Sequence, residues 1–254
     1  MDWTIGADIE LMFERGGQLV SAVPVIGYGE RELPNGVLFF DNVLAEFTVT
    51  PAKGRDEFVK NITENMEAVR EFAQKRKLGV RIVSSAHYPV AELDSEEAAR
   101  FGCSPDYDAY KLVVNEVACA ADKTTLRTAG AHIHFGHAIF EDPYKVVDMV
   151  KLMDLLLGIP SLLKDQTPEA HERRTLYGKA GAHRPKAYPG GEYRSLSNWW
   201  VSNSEDISWI FEQTELCLKH TLDGKSVGDL GTSEEEVCRV INEADYEAAK
   251  KLVR

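Results

Sequence analysis

The chain has 254 residues and a formal net charge of −12, with 44% hydrophobic residues and a mean hydropathy of −0.28. This length predicts one or two domains, and the composition is typical of a folded globular protein rather than a disordered or collagen-like one. No apolar run approaches the ~20 residues that span a bilayer, so we expect no membrane association. The acidic balance disfavours nucleic acid as a partner.

Two features of the sequence, its N-terminus and its cysteines, are typical of a protein that stays inside the cell. The N-terminus lacks the basic start and apolar stretch of a signal peptide, so we expect a cytoplasmic protein. The four cysteines are far apart and show no CxxC spacing, which argues against a disulfide framework or a zinc ribbon. We expect reduced thiols at Cys103, Cys119, Cys217 and Cys238.

The first fifty residues are predicted to form strands. Apolar residues occupy alternate positions over residues 3–13 and again over 43–49, which is the period of a half-buried strand. Gly16 and Gly17 indicate a hairpin turn into a second strand over 18–25. A short strand is predicted over 37–40.

The middle of the chain mixes helices and strands. An apolar stripe at helical spacing predicts a helix over 55–77 that packs onto the sheet. Proline after an aspartate at position 142 predicts a second helix that ends at Gly158. Further elements are predicted as strands over 80–86 and 129–136 and a short helix near 95–101.

The last third is predicted to be mainly helical. Thr167 and Pro168 repeat the helix-start signal, and 192–200 is predicted as the last strand. Helices are predicted over 204–222, 233–242 and 246–253.

Strands that rarely alternate one-for-one with helices disfavour a doubly wound parallel sheet. We therefore expect a single α+β domain over residues 1–254, with a mostly antiparallel sheet covered by helices. Its core is predicted over 4–200 and a C-terminal helical part over 201–254.

Ionisable residues lie on the strand faces opposite the apolar stripes. Each one alone also fits a solvated sheet face, and the histidine pair also fits a structural role. Carboxylate oxygens together with an imidazole nitrogen suit Mg²⁺ or Mn²⁺. The residues concerned are Asp8, Glu10, Glu46, His132, His134, Glu192 and Arg194.

If these strands share one sheet, the carboxylates would repel one another unless metal ions neutralised them. A basic, glycine-rich segment over 171–194 then offers an edge for the phosphates of a nucleotide triphosphate, although it also fits an exposed basic loop. The chain has neither a P-loop nor a GxGxxG motif after a strand. The cations of the segment are Arg173, Arg174, Lys179, Arg184, Lys186 and Arg194.

Four motifs in this order resemble the glutamine synthetase and glutamate-cysteine ligase superfamily. They are Gly-Ala-Asp-Ile-Glu at 6–10, Glu-Phe-Thr-Val-Thr-Pro at 46–51, Gly-Ala-His-Ile-His-Phe-Gly at 130–136 and Glu-Tyr-Arg at 192–194. The segment 173–200 resembles the phage-associated carboxylate-amine ligase type 2 branch of the amidoligases. The resemblance implies a sheet like that of the glutamine synthetase catalytic domain.

The resemblance also implies a set of metal ligands. Asp8, His132 and Glu192 would hold the metal that bridges the ATP phosphates, and Glu10 and Glu46 would hold a second metal near the substrate carboxylate. Asp8 stands where glutamine synthetases have a glutamate, and Glu46 is the one middle-strand carboxylate found. These departures leave room for two metal ions rather than three.

The catalytic residues implied by the resemblance are Arg194, His134 and Glu46. His134 would lie beside the transferring phosphate, while the Arg194 guanidinium steadies the equatorial oxygens of the phosphoryl group. ATP would be bound by Arg173, Arg174, Lys179 and Arg184.

The implied activity is that of an ATP-dependent carboxylate-amine ligase, which forms an amide or isopeptide bond through an acyl phosphate and releases ADP and phosphate. Its substrates would be a small-molecule or peptide carboxylate and an amine, and the resemblance is compatible with a homo-oligomer. A phage-encoded enzyme would act in the host cytoplasm. Two alternatives are a metal-dependent hydrolase that uses the His-x-His strand and a non-catalytic protein that binds a nucleotide or peptide.

Overall fold

The fold is built on an antiparallel sheet, seen in a computed structural model that describes residues 2–98, 106–115 and 124–253. The strands are β1 (Thr4–Arg15), β2 (Gln18–Val20), β3 (Arg31–Leu33), β4 (Gly36–Asp41), β5 (Leu44–Ala52), β6 (Gly79–Arg81), β7 (Ser85–His87), β8 (Tyr107–Asp108), β9 (Val113–Val114), β10 (Leu126–Thr128), β11 (Ala131–Gly136), β12 (Ala182–Pro185) and β13 (Gly190–Tyr193).

The helices lie mainly in the second half of the chain. They are α1 (Ala22–Ile26), α2 (Arg55–Gln74), α3 (Pro143–Met153), α4 (Ile159–Lys164), α5 (Pro168–Leu176), α6 (Ser204–Leu222), α7 (Glu234–Glu243) and α8 (Tyr246–Leu252), with a π-helical turn over Asp154–Gly158. No helix among the described residues is both long enough and apolar enough to cross a bilayer.

Strand β1 lies at the centre of the sheet. The strand order is β3-β4-β5-β1-β11-β13-β12-β8-β9, and β2 and β6 also pair with β1; β7 and β10 form a separate pair. Each pair between the described strands is antiparallel. The predicted class, an α+β fold with a mostly antiparallel sheet covered by helices, is confirmed.

One face of the sheet carries the main core. Its β1 residues Ile5, Ala7, Ile9, Leu11 and Phe13 are fully buried. Helices α2, α3 and α6 pack on this face. Burial of each isoleucine, leucine or phenylalanine side chain stabilises the fold by about 1.5–3 kcal/mol. Because side chains alternate along a strand, the intervening residues of β1 lie on the opposite face, where the polar site is found.

The C-terminal helices form a second apolar cluster. Leu155, Ile159 and Leu162 are buried there against residues from α7 and α8. The predicted helices over 204–222, 233–242 and 246–253 match α6, α7 and α8 to within a residue at either end. The division into a core and a C-terminal part stays a prediction.

The predicted strand over 18–25 is wrong after its first three residues. The chain leaves β2 at Val20 and turns into the short helix α1. Ser21 caps that helix, because its hydroxyl accepts a hydrogen bond from the Val23 backbone N–H at 3.3 Å. Pro24 also lacks the N–H that a strand ladder would use.

The helix predicted to end at Gly158 instead continues through the π-helical turn into α4. The Ile159 N–H bonds to the Asp154 carbonyl five residues back, which absorbs one extra residue. Pro160 is tolerated because it lies in the first turn of α4. Gly158 therefore does not act as a helix stop.

The strand predicted over 192–200 is also too long. Strand β13 ends at Tyr193, and only an isolated bridge between Ser197 and Gly130 follows it. The carbonyls of Arg194 and Ser195 accept hydrogen bonds from the Arg173 guanidinium rather than from a neighbouring strand. This long-range contact ends the ladder.

Other predictions differ in smaller ways. The predicted strand over 80–86 is split between β6 and β7, and α2 ends three residues before the predicted position 77. The helix predicted near 95–101 lies partly outside the described residues, as do Cys103 and Cys119. Cys217 is a buried free thiol and Cys238 a half-buried one.

Candidate active site

The candidate site lies on the polar face of β1 and its neighbouring strands. Asp8 is opposite His132 on β11, and Glu10 is opposite Glu46 on β5. On the next strand pair, His134 is opposite Glu192. The antiparallel register thus brings the four predicted strand motifs together on one face.

Asp8, His134 and Glu192 form the first group of potential metal ligands. The His134 Nε2 atom lies 2.9 Å from Asp8 Oδ2 and 3.8 Å from Glu192 Oε2. His132 faces another way, with its Nδ1 3.4 Å from Glu192 Oε1. The structure therefore groups His134, rather than His132, with the Asp8 carboxylate.

Glu10, Asp41 and Glu46 form the second group. Burial and the nearby Asp41 carboxylate raise the pKa of Glu10 to about 7, and burial raises the pKa of Asp41 to about 6. Burial and the facing Glu10 carboxyl raise the pKa of Glu46 well above its ordinary value. Three carboxyl groups this close together repel one another once they are ionised, and a bound cation would offset that repulsion.

Several cations surround Glu192 on the opposite side of the site. Lys186 Nζ lies 2.6 Å from Glu192 Oε2, Arg184 lies 3.8 Å from the same oxygen, and Arg194 donates a hydrogen bond to Oε1. Burial alone would raise the pKa of Glu192, but the positive charges beside it, among them the Arg194 guanidinium and the Lys186 ammonium, outweigh burial and lower the pKa. Glu192 therefore stays ionised at neutral pH.

His132 is a buried neutral acceptor beside Arg194. Its Nδ1 lies 3.2 Å from a guanidinium nitrogen of Arg194. Burial and the positive charge of Arg194 lower the pKa of His132 well below its usual range. The imidazole thus orients the arginine without adding another positive charge.

Arg173 braces the segment that carries Arg194. Its guanidinium donates to the carbonyls of Ser195 at 3.0 Å and Arg194 at 3.4 Å, and burial lowers its pKa to about 10. A glycine is needed at position 130, because a Cβ there would lie 2.5 Å from His132 Nε2 and 3.1 Å from the Arg173 guanidinium.

The predicted phosphate-binding residues divide into two sets. Arg173 lines a cleft that Glu10, His132 and Arg194 also line. Arg184 reaches Glu192 from β12. Arg174 is buried, donates to the Ala170 carbonyl of its own helix at 3.2 Å and does not line the cleft as the described residues define it. Lys179 is exposed in the loop that follows α5 and does not line it either.

Three charged residues of the cleft were not predicted from the sequence. Asp41, Asp106 and Arg127 line it, and Asp106 lies 3.6 Å from the Nε of Arg194. Asp41 is the residue after the predicted strand over 37–40, on the face opposite the buried Leu38, so continuing the alternation by one residue would have found it. No local pattern marks Asp106 or Arg127.

A buried carboxylate supports the strands from behind. Asp154 accepts hydrogen bonds from the Gly181 N–H at 2.6 Å and the Tyr193 hydroxyl at 2.7 Å. Burial raises the pKa of Asp154 to about 7 despite these bonds. Tyr193 precedes Arg194 and follows Glu192 in the chain, so this anchor fixes the strand that carries both.

The chemistry of the first group fits a divalent cation. The Oδ1 atom of Asp8 is buried and has no hydrogen-bond partner among the described residues, which is an uncommon state for a carboxylate oxygen. Oxygen ligands with a single imidazole are a donor set that suits Mg²⁺ or Mn²⁺. The second group offers oxygen ligands only, which also suits a hard cation.

Comparison with solved structures gives distant likenesses. A bifunctional glutathione synthetase from Pasteurella multocida has a TM-score of 0.49 and 11% identity, with 99% of this chain and 48% of that chain covered. The structure described as GmaS without ligand has a TM-score of 0.46 and 11% identity, covering 98% of this chain and 67% of that one. This chain thus spans about half the length of the first protein.

Comparison with curated proteins by sequence gives no match. A family model, however, matches residues 112–254, which is more than half of the chain. The matched part holds His132, His134, Glu192 and Arg194, while the strands of Asp8 and the Glu10 group precede it. By this match the chain belongs to the family described as phage phiEco32-like COOH.NH2 ligase, type 2.

Proposed function

We propose that this protein is an ATP-dependent carboxylate-amine ligase that forms an amide or isopeptide bond and releases ADP and phosphate. The observation that carries the proposal is the pairing of two acidic ligand groups on one sheet face with an arginine and lysine edge at Glu192. Membership of a carboxylate-amine ligase family supports it.

The reaction needs ATP because a carboxylate is a poor electrophile toward an amine. In the proposed first step, a carboxylate oxygen attacks the γ-phosphorus of ATP, the bond from that phosphorus to the β,γ-bridging oxygen breaks, and ADP leaves. The amine then attacks the carbonyl carbon of the acyl phosphate. Phosphate departs with the former carboxylate oxygen, and the amine nitrogen loses a proton.

The two acidic groups would hold divalent metal ions. Asp8, His134 and Glu192 would hold one, and Glu10, Asp41 and Glu46 would hold another. When bound, Mg²⁺ or Mn²⁺ supplies positive charge that neutralises the phosphate oxygens. Asp8 and Glu10 are two residues apart on β1, so the two groups are separated by roughly 7 Å along that strand.

The chain's own cations would act on the phosphoryl group. Arg194 is aimed into the cleft and is fixed by His132, Asp106 and the Glu192 carboxylate. A guanidinium held this way stabilises the negative charge of the transferring group without reorganising during the step. Arg173 holds the backbone of Arg194 in place and faces the same cleft.

The substrates would be a carboxylate and an amine from small molecules or peptides. The cleft carries both acidic side chains and the guanidinium groups of Arg127 and Arg173. A carboxylate substrate would pair with the cations, and the acidic residues would favour the ammonium form of an amine before it loses its proton.

The test is mass spectrometry of the purified protein with Mg-ATP, a pool of amino acids and short peptides, with the carboxyl groups of both labelled with ¹⁸O. The proposal predicts ADP, a product lighter by one water than its two parents, and one ¹⁸O atom in the released phosphate. AMP formation would overturn the acyl-phosphate route. Condensation or cleavage without ATP would overturn the ligase assignment in favour of a hydrolase.

A matched pair of variants keeps this test specific. Glu10→Gln should abolish the product, since it removes a carboxylate from the second ligand group. Glu212→Gln changes an exposed glutamate that pairs with Arg55 at 3.0 Å and should leave the product unchanged. A Glu10→Gln protein with unchanged turnover would show that the product is formed elsewhere.

A further inference from the structure

Lys186 contacts a carboxylate that also belongs to the first ligand group. Its Nζ lies 2.6 Å from Glu192 Oε2, and the same oxygen lies 3.8 Å from His134 Nε2. Arg184 is directly opposite Glu192 in the β12–β13 pair, and Lys186 follows it two residues later, on the same face of the sheet. The lysine and a metal ion would therefore meet Glu192 at one oxygen.

Three side-chain atoms of the first group lack hydrogen bonds. Asp8 Oδ1, His134 Nε2 and Glu192 Oε2 are all buried and have no hydrogen-bond partner among the described residues. Buried polar atoms normally have such partners. The contact of Lys186 with Glu192 is thus a contact of charges without the alignment of a hydrogen bond. The ammonium group neutralises the Glu192 oxygen without satisfying it as an acceptor.

A divalent cation bound to Glu192 Oε2 would repel the ammonium group. Mg²⁺ binds carboxylate oxygens at about 2.1 Å. Because Nζ of Lys186 is 2.6 Å from the same oxygen, the two cations would be less than about 5 Å apart. Positive charges that are this close and shielded from water repel strongly, and the Glu192 side chain is 1% exposed. The metal ion has three ligand residues, whereas Lys186 has one carboxylate partner in the described part of the chain, so the lysine is the group that leaves.

The surroundings of Lys186 allow it to move. Its side chain is 19% exposed, and the next three residues, 187–189, are exposed. A lysine carries a compact charge on a flexible four-carbon stem. Phosphate oxygens held by the metal ion would be anions within reach of that stem, at an edge where Arg184 offers a second positive charge 3.8 Å from Glu192. Lys186 would thus exchange a carboxylate partner for a phosphate.

We propose that Lys186 is a phosphate-binding residue that a divalent cation releases from Glu192. Until the cation binds, the ammonium group neutralises the buried carboxylate. Once the metal ion takes the Glu192 oxygen, Lys186 turns to the phosphates of the nucleotide. The nucleotide half of this inference rests on the proposed function, whereas the metal half does not.

The experiment is acetylation of the full chain with sulfo-N-hydroxysuccinimide acetate, followed by peptide mass spectrometry. Mn²⁺ alone should raise the acetylation rate of Lys186 severalfold over the rate in EDTA, and ATP added with Mn²⁺ should lower it again. Lys145 is the internal control, because its Nζ also pairs with a carboxylate, that of Asp148 at 2.9 Å. Its rate should be the same under all three conditions. The experiment needs no variant, so misfolding cannot produce the pattern.

A pair of variants tests the competition for Glu192. Lys186→Met keeps most of the stem without the charge and should tighten Mn²⁺ binding at the first group about tenfold, while ATP in the presence of Mn²⁺ should bind about tenfold more weakly. Arg184→Gln removes a charge that is 3.8 Å from the same oxygen, against 2.6 Å for Lys186. It should therefore tighten Mn²⁺ binding less. Titration followed by electron paramagnetic resonance measures the metal affinity of each protein.

The proposal is overturned if Mn²⁺ leaves the acetylation rate of Lys186 unchanged, or if ATP does not lower it again. It is also overturned if Lys186→Met and Arg184→Gln tighten Mn²⁺ binding equally, since the loss of net charge alone would then explain the effect. Failure of the ligase assignment would look different. The wild-type protein would then form no amide product, while Mn²⁺ would still raise the acetylation rate of Lys186.

Discussion

Glu10 and Glu46 lie directly opposite each other on β1 and β5, with both carboxyl groups buried. Side chains opposite each other in an antiparallel pair are close neighbours, and like charges there repel. Asp41 adds a third carboxyl group to the same place. The site is therefore least stable when it is ionised and lacks a cation.

The first prediction concerns the pH dependence of stability without metal. The pKa of Glu10 is raised from 4.5 to about 7 and that of Glu46 is also raised, so the folded protein retains protons that the unfolded chain has lost. This stabilisation is complete below pH 4.5 and is lost as the pH rises through about 7. In EDTA, the Tm should fall by roughly 5–10 °C over this range, from a loss on the order of 3 kcal/mol.

Other groups also titrate in this range, so the comparison is made with Glu46→Gln. Because that variant removes one member of the repelling pair, its Tm should depend less on pH. Calorimetry in the presence of Mg²⁺ should show a larger rise in Tm at pH 7.5 than at pH 5. Parallel pH profiles for both proteins would contradict the prediction.

The second prediction concerns the number of metal ions. Two ligand groups predict two Mn²⁺ ions per chain, since each group offers three ligand atoms within 4.8 Å of one another. Asp8→Asn should weaken one and Glu46→Gln the other, which titration followed by electron paramagnetic resonance would resolve. Asp148→Asn, on the exposed side of α3, is the control. Loss of both ions in each variant would indicate one shared site.

The third prediction concerns Arg194. Lysine keeps the charge but cannot contact His132, Glu192 and Asp106 at once, because it lacks the planar fork of donors. Arg194→Lys should lower kcat for amide formation by roughly 10²–10³-fold, as for other preorganised donors to a transition state. The control Arg55→Lys alters an exposed arginine. A wild-type kcat in Arg194→Lys would remove the arginine from the chemistry.

The fourth prediction concerns Gly130. An added Cβ would meet His132 and Arg173, so Gly130→Ala should displace one of them and lower kcat by about 100-fold. Gly228→Ala is the matched control, because the contact there is an ordinary 3.6 Å to Ser226. Steady-state kinetics and circular dichroism would separate a catalytic effect from a folding defect. Equal effects of the two substitutions would contradict the steric argument.

The fifth prediction concerns Asp154. Asparagine at this position offers one acceptor oxygen where the aspartate serves both the Gly181 N–H and the Tyr193 hydroxyl. Asp154→Asn should therefore lower the free energy of unfolding by roughly 3 kcal/mol and Tyr193→Phe by about 1 kcal/mol. Urea denaturation measures both. A change below that of the surface variant Asp148→Asn would show that the anchor is dispensable.

The parts of the fold that could be predicted are those with a local period. Strands β1, β5 and β11 bury a run of apolar residues at alternate positions, which identifies them in the sequence. The long helices α2 and α6 have a single apolar stripe for the same reason. The ends of elements were harder to predict. Strand β13 ends where the Arg173 guanidinium bonds to a carbonyl 22 positions away, and a π-helical turn carries the helix past Gly158.

The sequence predicts which residues form the site better than it predicts which of them contact one another. The motifs identify Asp8, His134 and Glu192 as site residues, but which imidazole faces which carboxylate depends on strand register and side-chain rotation. Asp106 comes from a hairpin with no strong periodicity. Arg174, a basic residue beside Arg173 in sequence, is on a different side of α5 from the cleft, because adjacent residues on a helix point in different directions.

The extra residue of the π-helical turn sets the phase between two parts of the molecule. Before it, α3 contributes Val150 and Met153 to the main core; after it, Ile159 and Leu162 face the cluster with α7 and α8. Each residue rotates a helix by about 100°. Removing one residue from the turn would rotate the apolar face of α4 by that angle. The packing of α7 and α8 against α4 therefore depends on the number of residues in the π-helical turn.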